Sequence, residues 1–188
     1  MIALTKQTHE EDEITIVDEN DCCIGFISKQ KAHEGAGILH RAFSIFIFNQ
    51  ERKMLLQQRS LQKYHFAGRW TNACCSHPRR SEDVMDAAHR RLQEEFGFDT
   101  SLHKLFSFIY RAHDRRSGLT EYELDHVLIG EFNGEPQPNQ YEIADWKWIG
   151  IEELLLDVEA NPSHYTSWFR IAIDRVLDYI LNGKSLKE

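Results

Sequence analysis

The chain is short of positive charge: its 188 residues carry 22 Lys and Arg against 30 Asp and Glu, a formal net charge of −8. That balance weighs against nucleic acid or an anionic membrane as the main partner, because phosphate surfaces select for basic ones. Any anionic ligand must therefore meet a local cluster of cations. Long apolar runs are missing too. None approaches the roughly 20 residues needed to span a bilayer. The start, from Met1, has no apolar signal core and ends in Glu10-Glu11-Asp12-Glu13. A cytoplasmic protein is expected. Cysteine is limited to the adjacent pairs Cys22-Cys23 and Cys74-Cys75, which lack the spread spacing of a disulfide framework, so reduced thiols are expected. There is no internal repeat and no low-complexity segment. With 41% hydrophobic and 28% charged residues, the composition fits a single globular domain over residues 1–188.

Periodicity supplies the elements. Ile14 and Ile16, then Cys22, Ile24 and Phe26, predict a hairpin around Asp18-Glu19-Asn20-Asp21. Lys29 to Gly37 reads as a loop. Arg41 to Phe48 reads as a strand covered on both faces, and Met54 to Arg59 as the next strand. Ser81 as N-cap and Gly97 as the residue past the end predict a helix from Glu82 to Phe96, with Val84, Ala88, Leu92 and Phe96 as its apolar stripe. Arg91 and Glu95 fall on or beside that stripe, where charge requires a reason. Lys104 to Ala112 and a segment starting near Leu119 read as strands. On the latter, Glu121, Glu123 and Asp125 share a face with Val127 and Ile129. Trp146 to Ile149, a short helix from Glu152 to Leu156, and a final helix with Pro162 near its start and Gly183 after its end complete the chain. One central and one terminal helix among these strands indicate an α/β (α+β) sandwich with a mixed sheet.

Chemistry concentrates in Trp70-Thr71-Asn72-Ala73-Cys74-Cys75-Ser76-His77-Pro78. If extended, this stretch puts Cys75 and His77 on one face, so a thiol and a metal ligand share a pocket. Buried structural cysteines and a satisfied loop histidine are the plain alternative. His33, His40, His77, Glu121 and Glu123 together suit a divalent ion, zinc or another transition metal, or magnesium where carboxylates and water dominate. The chain has 10 histidines, and His9, His65, His103, His113, His126 and His164 are read as bystanders. Lys29, Arg59, Lys63 and Arg91 are scattered cations whose usual explanation, taken singly, is solvated surface charge.

The segment from Pro78 to Phe98, with Glu82 and then Arg90-Arg91-Leu92-Gln93-Glu94-Glu95-Phe96-Gly97-Phe98, resembles a divergent Nudix box. Ser76 stands where the box has its first glycine, and Arg91 where it has its first helix glutamate. Loss of that glutamate undermines the metal cluster of pyrophosphate hydrolysis. Taken with the Cys75-x-His77 stretch, Lys29-x-x-x-His33, His40 and Glu121-Tyr122-Glu123, the chain from about Lys29 to Trp168 closely resembles the type 1 isopentenyl-diphosphate isomerases.

The resemblance implies a Nudix-like sandwich and a shift of the double bond in a five-carbon isoprenoid diphosphate. It implies one divalent metal (zinc, manganese or magnesium) on His33, His40, His77, Glu121 and Glu123, and a magnesium ion bridging Glu95 and the diphosphate. Cys75 and Glu123 would be the catalytic pair, with Tyr110 as a relay. Lys29, Arg59, Lys63 and Arg91 would hold the phosphates, and Tyr110 and Trp168 would line the reacting end. The small-molecule diphosphate is then the expected partner, and no oligomeric state is read from the sequence. Two other readings compete: a Nudix pyrophosphohydrolase using Glu94 and Glu95, and a non-enzymatic binding module whose cysteines only pack.

Overall fold

The computed structural model describes residues 13–181, so the acidic residues 10–12 and Gly183 lie outside the described part. Strands β1 (Glu13–Val17) and β2 (Cys23–Ser28) form the expected antiparallel hairpin. Its turn is held by the Asp18 carboxylate, which accepts from the backbone N–H of Asn20 and of Cys22, each at 2.9 Å. A short helix α1 (Lys29–His33) follows where a loop was expected, one turn that sets Lys29 and His33 four residues apart on one side.

Strand β3 (His40–Phe48) is the axis of a nine-stranded mixed sheet. One edge pairs in parallel with β8 (Leu119–Glu131), from His40 opposite Glu123 to Phe48 opposite Glu131. The other edge pairs in succession with β1, with β6 (Cys74–Ser76) and with β4 (Met54–Arg59). Outside β8 lies its hairpin partner β7 (Leu102–Asp114). Beside β4 lie β5 (Trp70–Thr71) and β9 (Ile143–Ile149).

Alternation along β3 explains why it is apolar on both sides. Phe43, Ile45 and Ile47 pack under helix α2 (Val84–Phe96) with Ala87, Ala88, Leu92 and Phe96. Phe46 and Phe48 face helix α4 (Ser167–Leu181) with Phe169, Ala172, Ile173 and Val176. A fully buried Phe such as Phe169 contributes roughly 2–3 kcal/mol by leaving water. The arrangement is an α+β sandwich, as expected.

Three boundaries differ from expectation. The N-cap of α2 is Asp83, whose carboxylate accepts from Met85 N at 2.7 Å. Ser81 has φ 64°, in the left-handed region, and an N-cap requires extended backbone. Pro162 belongs to a single 3₁₀ turn, Pro162–His164, and α4 starts only at Ser167. Tyr165 stays extended because it bridges Trp70, and Thr166 N donates to Trp70 O at 3.0 Å. Helix α3 (Ile151–Ala160) runs beyond both ends of the segment expected, Glu152 to Leu156.

Gly97 closes α2 with φ 70°, and a Cβ there would sit 3.0 Å from Gln137 Cβ and 3.1 Å from Gln137 O. Gly97→Ala is therefore expected to destabilise the protein by about 1–3 kcal/mol, read as a lower urea midpoint with an unchanged slope.

Candidate active site

Five side chains from four places in the fold converge at the head of β3. They are His33 from α1, His40 opening β3, His77 just past β6, and Glu121 and Glu123 on β8. All five are buried, and one ligand atom from each lies within 4.8 Å of the others. Ligands on opposite sides of an ion bonded at about 2.1 Å are about 4.2 Å apart, so small side-chain shifts close the set on one centre.

Hydrogen bonding shows that the donors suit a cation. His33 Nδ1 lies 2.6 Å from Lys29 O and His40 Nδ1 lies 2.7 Å from Ile38 O, so each carries its proton at Nδ1 and donates it to a carbonyl. Their Nε2 lone pairs then face the carboxylates, His33 Nε2 at 2.8 Å from Glu121 Oε2 and His40 Nε2 at 3.5 Å from Glu123 Oε1. Both Nε2 atoms and Glu121 Oε2 are buried with no hydrogen-bond partner. Lone pairs turned on one another in a dry site are costly unless a cation or extra protons lie between them. Burial pushes the His77 imidazole down to about 3, with the Lys29 charge adding to this. Burial opposes ionisation of Glu121, but the adjoining His65 and His33 outweigh it and hold that carboxyl well below its ordinary range. His77 and Glu121 thus rest in the states a divalent ion requires, neutral imidazole and ionised carboxylate, whereas at His33 burial is outweighed by the Glu121 charge, which raises that imidazole above its ordinary value.

Next to this cluster lie the expected anion-binding cations. Lys29 is pushed down to about 8, first by burial and then by Lys63, Arg91 and Arg59, which places all four charges in one field. Arg91 and Glu95 meet at 2.5 Å on the inward face of α2, and Gln57 Nε2 donates to the other Glu95 oxygen at 2.9 Å. Each Glu95 oxygen keeps a second lone pair for an ion.

Sequence reasoning missed Glu142, which ties Lys63 to Arg91, the latter at 3.3 Å. Burial would raise its carboxyl, but Lys63 and Arg91 outweigh that and bring it down to about 2. A depressed carboxylate stabilises the fold above its unfolded value of about 4.3 and loses that contribution as pH falls towards 2. Wild type is thus expected to lose denaturant resistance between pH 5 and 2 more steeply than Glu142→Gln, as compared by chemical unfolding at stepped pH.

On the α4 side of the sheet, Cys75 pairs opposite Ser44 of β3. Its thiol donates to Asn72 Oδ1 at 3.0 Å and accepts from Trp168 Nε1 at 2.9 Å. The Asn72 amide is fixed by donating to Ile45 O and Cys74 O, so its oxygen must face the thiol. Burial pushes the thiol up to about 12, with the nearby Asp125 adding to this, so it is protonated at neutral pH. Asp125, on the acidic strand face, accepts from Ser44 Oγ at 2.7 Å and is itself held well above the carboxylate range, by burial and then by Glu123.

Trp168 is 3% exposed and anchored through Thr166, whose hydroxyl bonds Thr71 at 2.8 Å. Its ring lies 6.4 Å from Tyr110 and 5.4 Å from the Arg59 guanidinium. Tyr110 donates to Glu123 Oε2 at 2.5 Å, and His77 Nε2 lies 2.7 Å from Glu123 Oε1. Cys75, Trp168, Tyr110 and Glu123 thus form a connected series from thiol to carboxylate. His65 is no bystander, since its imidazole meets Glu121.

A mixed sheet between α2 and α4, with an acidic inward helix edge and a buried His/Glu cluster, is a Nudix architecture. The NUDIX domain family matches residues 38–169. The fold is shared with the crystal structure of the MutT protein from Methanosarcina mazei Go1, at a TM-score of 0.62 and 16% identity over 78% of this chain and 96% of that one. The isopentenyl-diphosphate Delta-isomerase 2 of Aromatoleum aromaticum is 48% identical, over 92% of this chain and 91% of the relative. That of Photorhabdus laumondii is 49% identical, over 94% and 95%. The chain belongs to the isopentenyl-diphosphate Delta-isomerase family of the Nudix superfamily. No helix among the described residues is long and apolar enough to cross a membrane.

Proposed function

We propose that this protein interconverts isopentenyl diphosphate and dimethylallyl diphosphate, with Cys75 and Glu123 as the proton-transferring pair. The observation that carries the reading is the pairing of a half-buried, protonated thiol with a buried, ionised carboxylate along one line of aromatic side chains. Glu123 stays below its ordinary value although burial and Glu121 oppose this, because His40 and His77 hold its charge.

The step balances with these two groups. The alkene π pair takes the proton of the Cys75 S–H, leaving a thiolate and a tertiary carbocation. Glu123, directly or through Tyr110, takes a proton from the neighbouring carbon, and that C–H pair becomes the new double bond. Return of a proton from glutamic acid to thiolate, by way of solvent, resets the pair. Burial of Trp168, Tyr110 and Phe66 excludes water that would trap the cation, and an indole face stabilises it by about 2 kcal/mol or more when desolvated. Lys29, Arg59, Lys63 and Arg91 hold the diphosphate, which a chain of net charge −8 requires.

A divalent ion (zinc, manganese or magnesium) held by His33, His40, His77, Glu121 and Glu123 would supply positive charge that keeps Glu123 ionised and in place. Magnesium at Glu95 would supply charge neutralisation at the diphosphate. The functional test is incubation of the protein with isopentenyl diphosphate, magnesium and zinc or manganese, followed by proton and phosphorus NMR. Dimethylallyl diphosphate accumulating with the diphosphate intact supports the reading. Steady phosphate release would instead mark a pyrophosphohydrolase.

A further inference from the structure

The loop after β4 brings His65 against the metal cluster from outside the five converging residues. Its imidazole Nε2 contacts Glu121 Oε1, while the other carboxylate oxygen, Oε2, faces His33 Nε2 at 2.8 Å. His65 and Glu121 are 6% and 3% exposed, so water does not compete for that contact. Among the described residues only His33 and His65 pair with the Glu121 carboxylate, and Oε2 has no hydrogen-bond donor. Among the described residues, His65 is thus the one hydrogen-bond donor that can fix the rotation of that carboxylate.

His65 is itself held on both flanks. Arg59 Nη2 donates to the His65 carbonyl at 3.1 Å, and the next residue, Phe66, donates its N–H to Asp114 Oδ2 at 2.9 Å. The ring packs beside Tyr64, with centroids 4.3 Å apart, and beside His33 at 5.3 Å. Its Nδ1 is buried without a partner, which places the ring's proton on Nε2, where the carboxylate accepts it.

We propose that His65 is a positioning residue of the metal centre, donating its Nε2–H to Glu121 Oε1 and so presenting Oε2 to the ion held by the five-residue cluster. This rests on the reading of that cluster as a metal site. Outer-shell donors of this kind orient a ligating carboxylate, and their loss costs about 10–100-fold in metal affinity. The role is invisible in the sequence, because His65 and Glu121 are far apart in the chain and their meeting depends on the Arg59 and Asp114 braces.

The test measures affinity for zinc alone, by competition with a chromophoric chelator, in wild type, His65→Leu and His65→Gln. Circular dichroism and melting of the metal-free proteins confirm that each folds. The expected result is one zinc per chain in wild type, about 10–100-fold weaker binding in His65→Leu, and recovery to near wild type in His65→Gln, whose amide N–H replaces the donor. Equal affinity in wild type and a folded His65→Leu would overturn the proposal. Equal loss in both variants would also overturn it, since that marks His65 as a direct ligand. Absence of stoichiometric zinc binding in wild type would remove the metal-site reading itself, a result distinct from either of these.

Discussion

Cys75→Ala is expected to lower turnover of isopentenyl diphosphate by about 10³-fold, with KM changed little. The sulfur is the proposed proton donor on the α4 side, and its pKa of about 12 keeps it a thiol. The cations proposed to hold the diphosphate lie on other elements, so ground-state binding is expected to survive the substitution. Stability should fall only modestly: a small, half-buried side chain is lost and the Trp168 N–H loses its acceptor. Initial rates followed by NMR, with a melting curve on the same sample, separate the two effects. A fall in turnover matched by a comparable loss of folded protein would count against a chemical role for the thiol.

Glu123→Gln should be as damaging to turnover, again about 10³-fold, and for two reasons that binding data distinguish. An amide cannot accept the substrate proton, and it removes one anionic ligand from the cluster. The metal-free protein should lose some stability as well, because, against burial and the Glu121 charge, His40 and His77 hold the Glu123 carboxylate below its ordinary value. The signature is therefore a modestly lowered melting temperature without metal, together with a smaller rise when metal is added. In wild type, an ion at about 100 times its Kd adds about 2.7 kcal/mol of stability. A Glu123→Gln protein that gains as much from zinc as wild type does would refute this account of the residue.

The strongly periodic elements were legible in the sequence. The two-sided apolar run of β3, the acidic face of β8 and the stripe of α2 each reflect local alternation, and each appears where expected. Helix α1 was not legible, since five residues are too few to display a period. The start of α4 was misplaced because Tyr165 answers to Trp70, nearly a hundred residues away. In the site, the Cys75-x-His77 spacing and the Glu121-x-Glu123 alternation marked candidate ligands and a candidate thiol locally. Their convergence depends on β3 holding β6 on one edge and β8 on the other, a register no local pattern encodes. Glu142 and His65 were missed for the same reason, as their partners Lys63, Arg91 and Glu121 lie far along the chain. The TNACC stretch did contain Asn72, but its amide orientation follows from Ile45 O on another strand.

The most direct test of proton exchange through enzyme groups is turnover of isopentenyl diphosphate in D₂O by the metal-loaded wild type. Deuterium is expected in the methyl group of the dimethylallyl product and, as the reaction reverses, in the recovered substrate, with the diphosphate intact. A folded, metal-loaded protein that incorporates no deuterium into either compound would contradict the assignment.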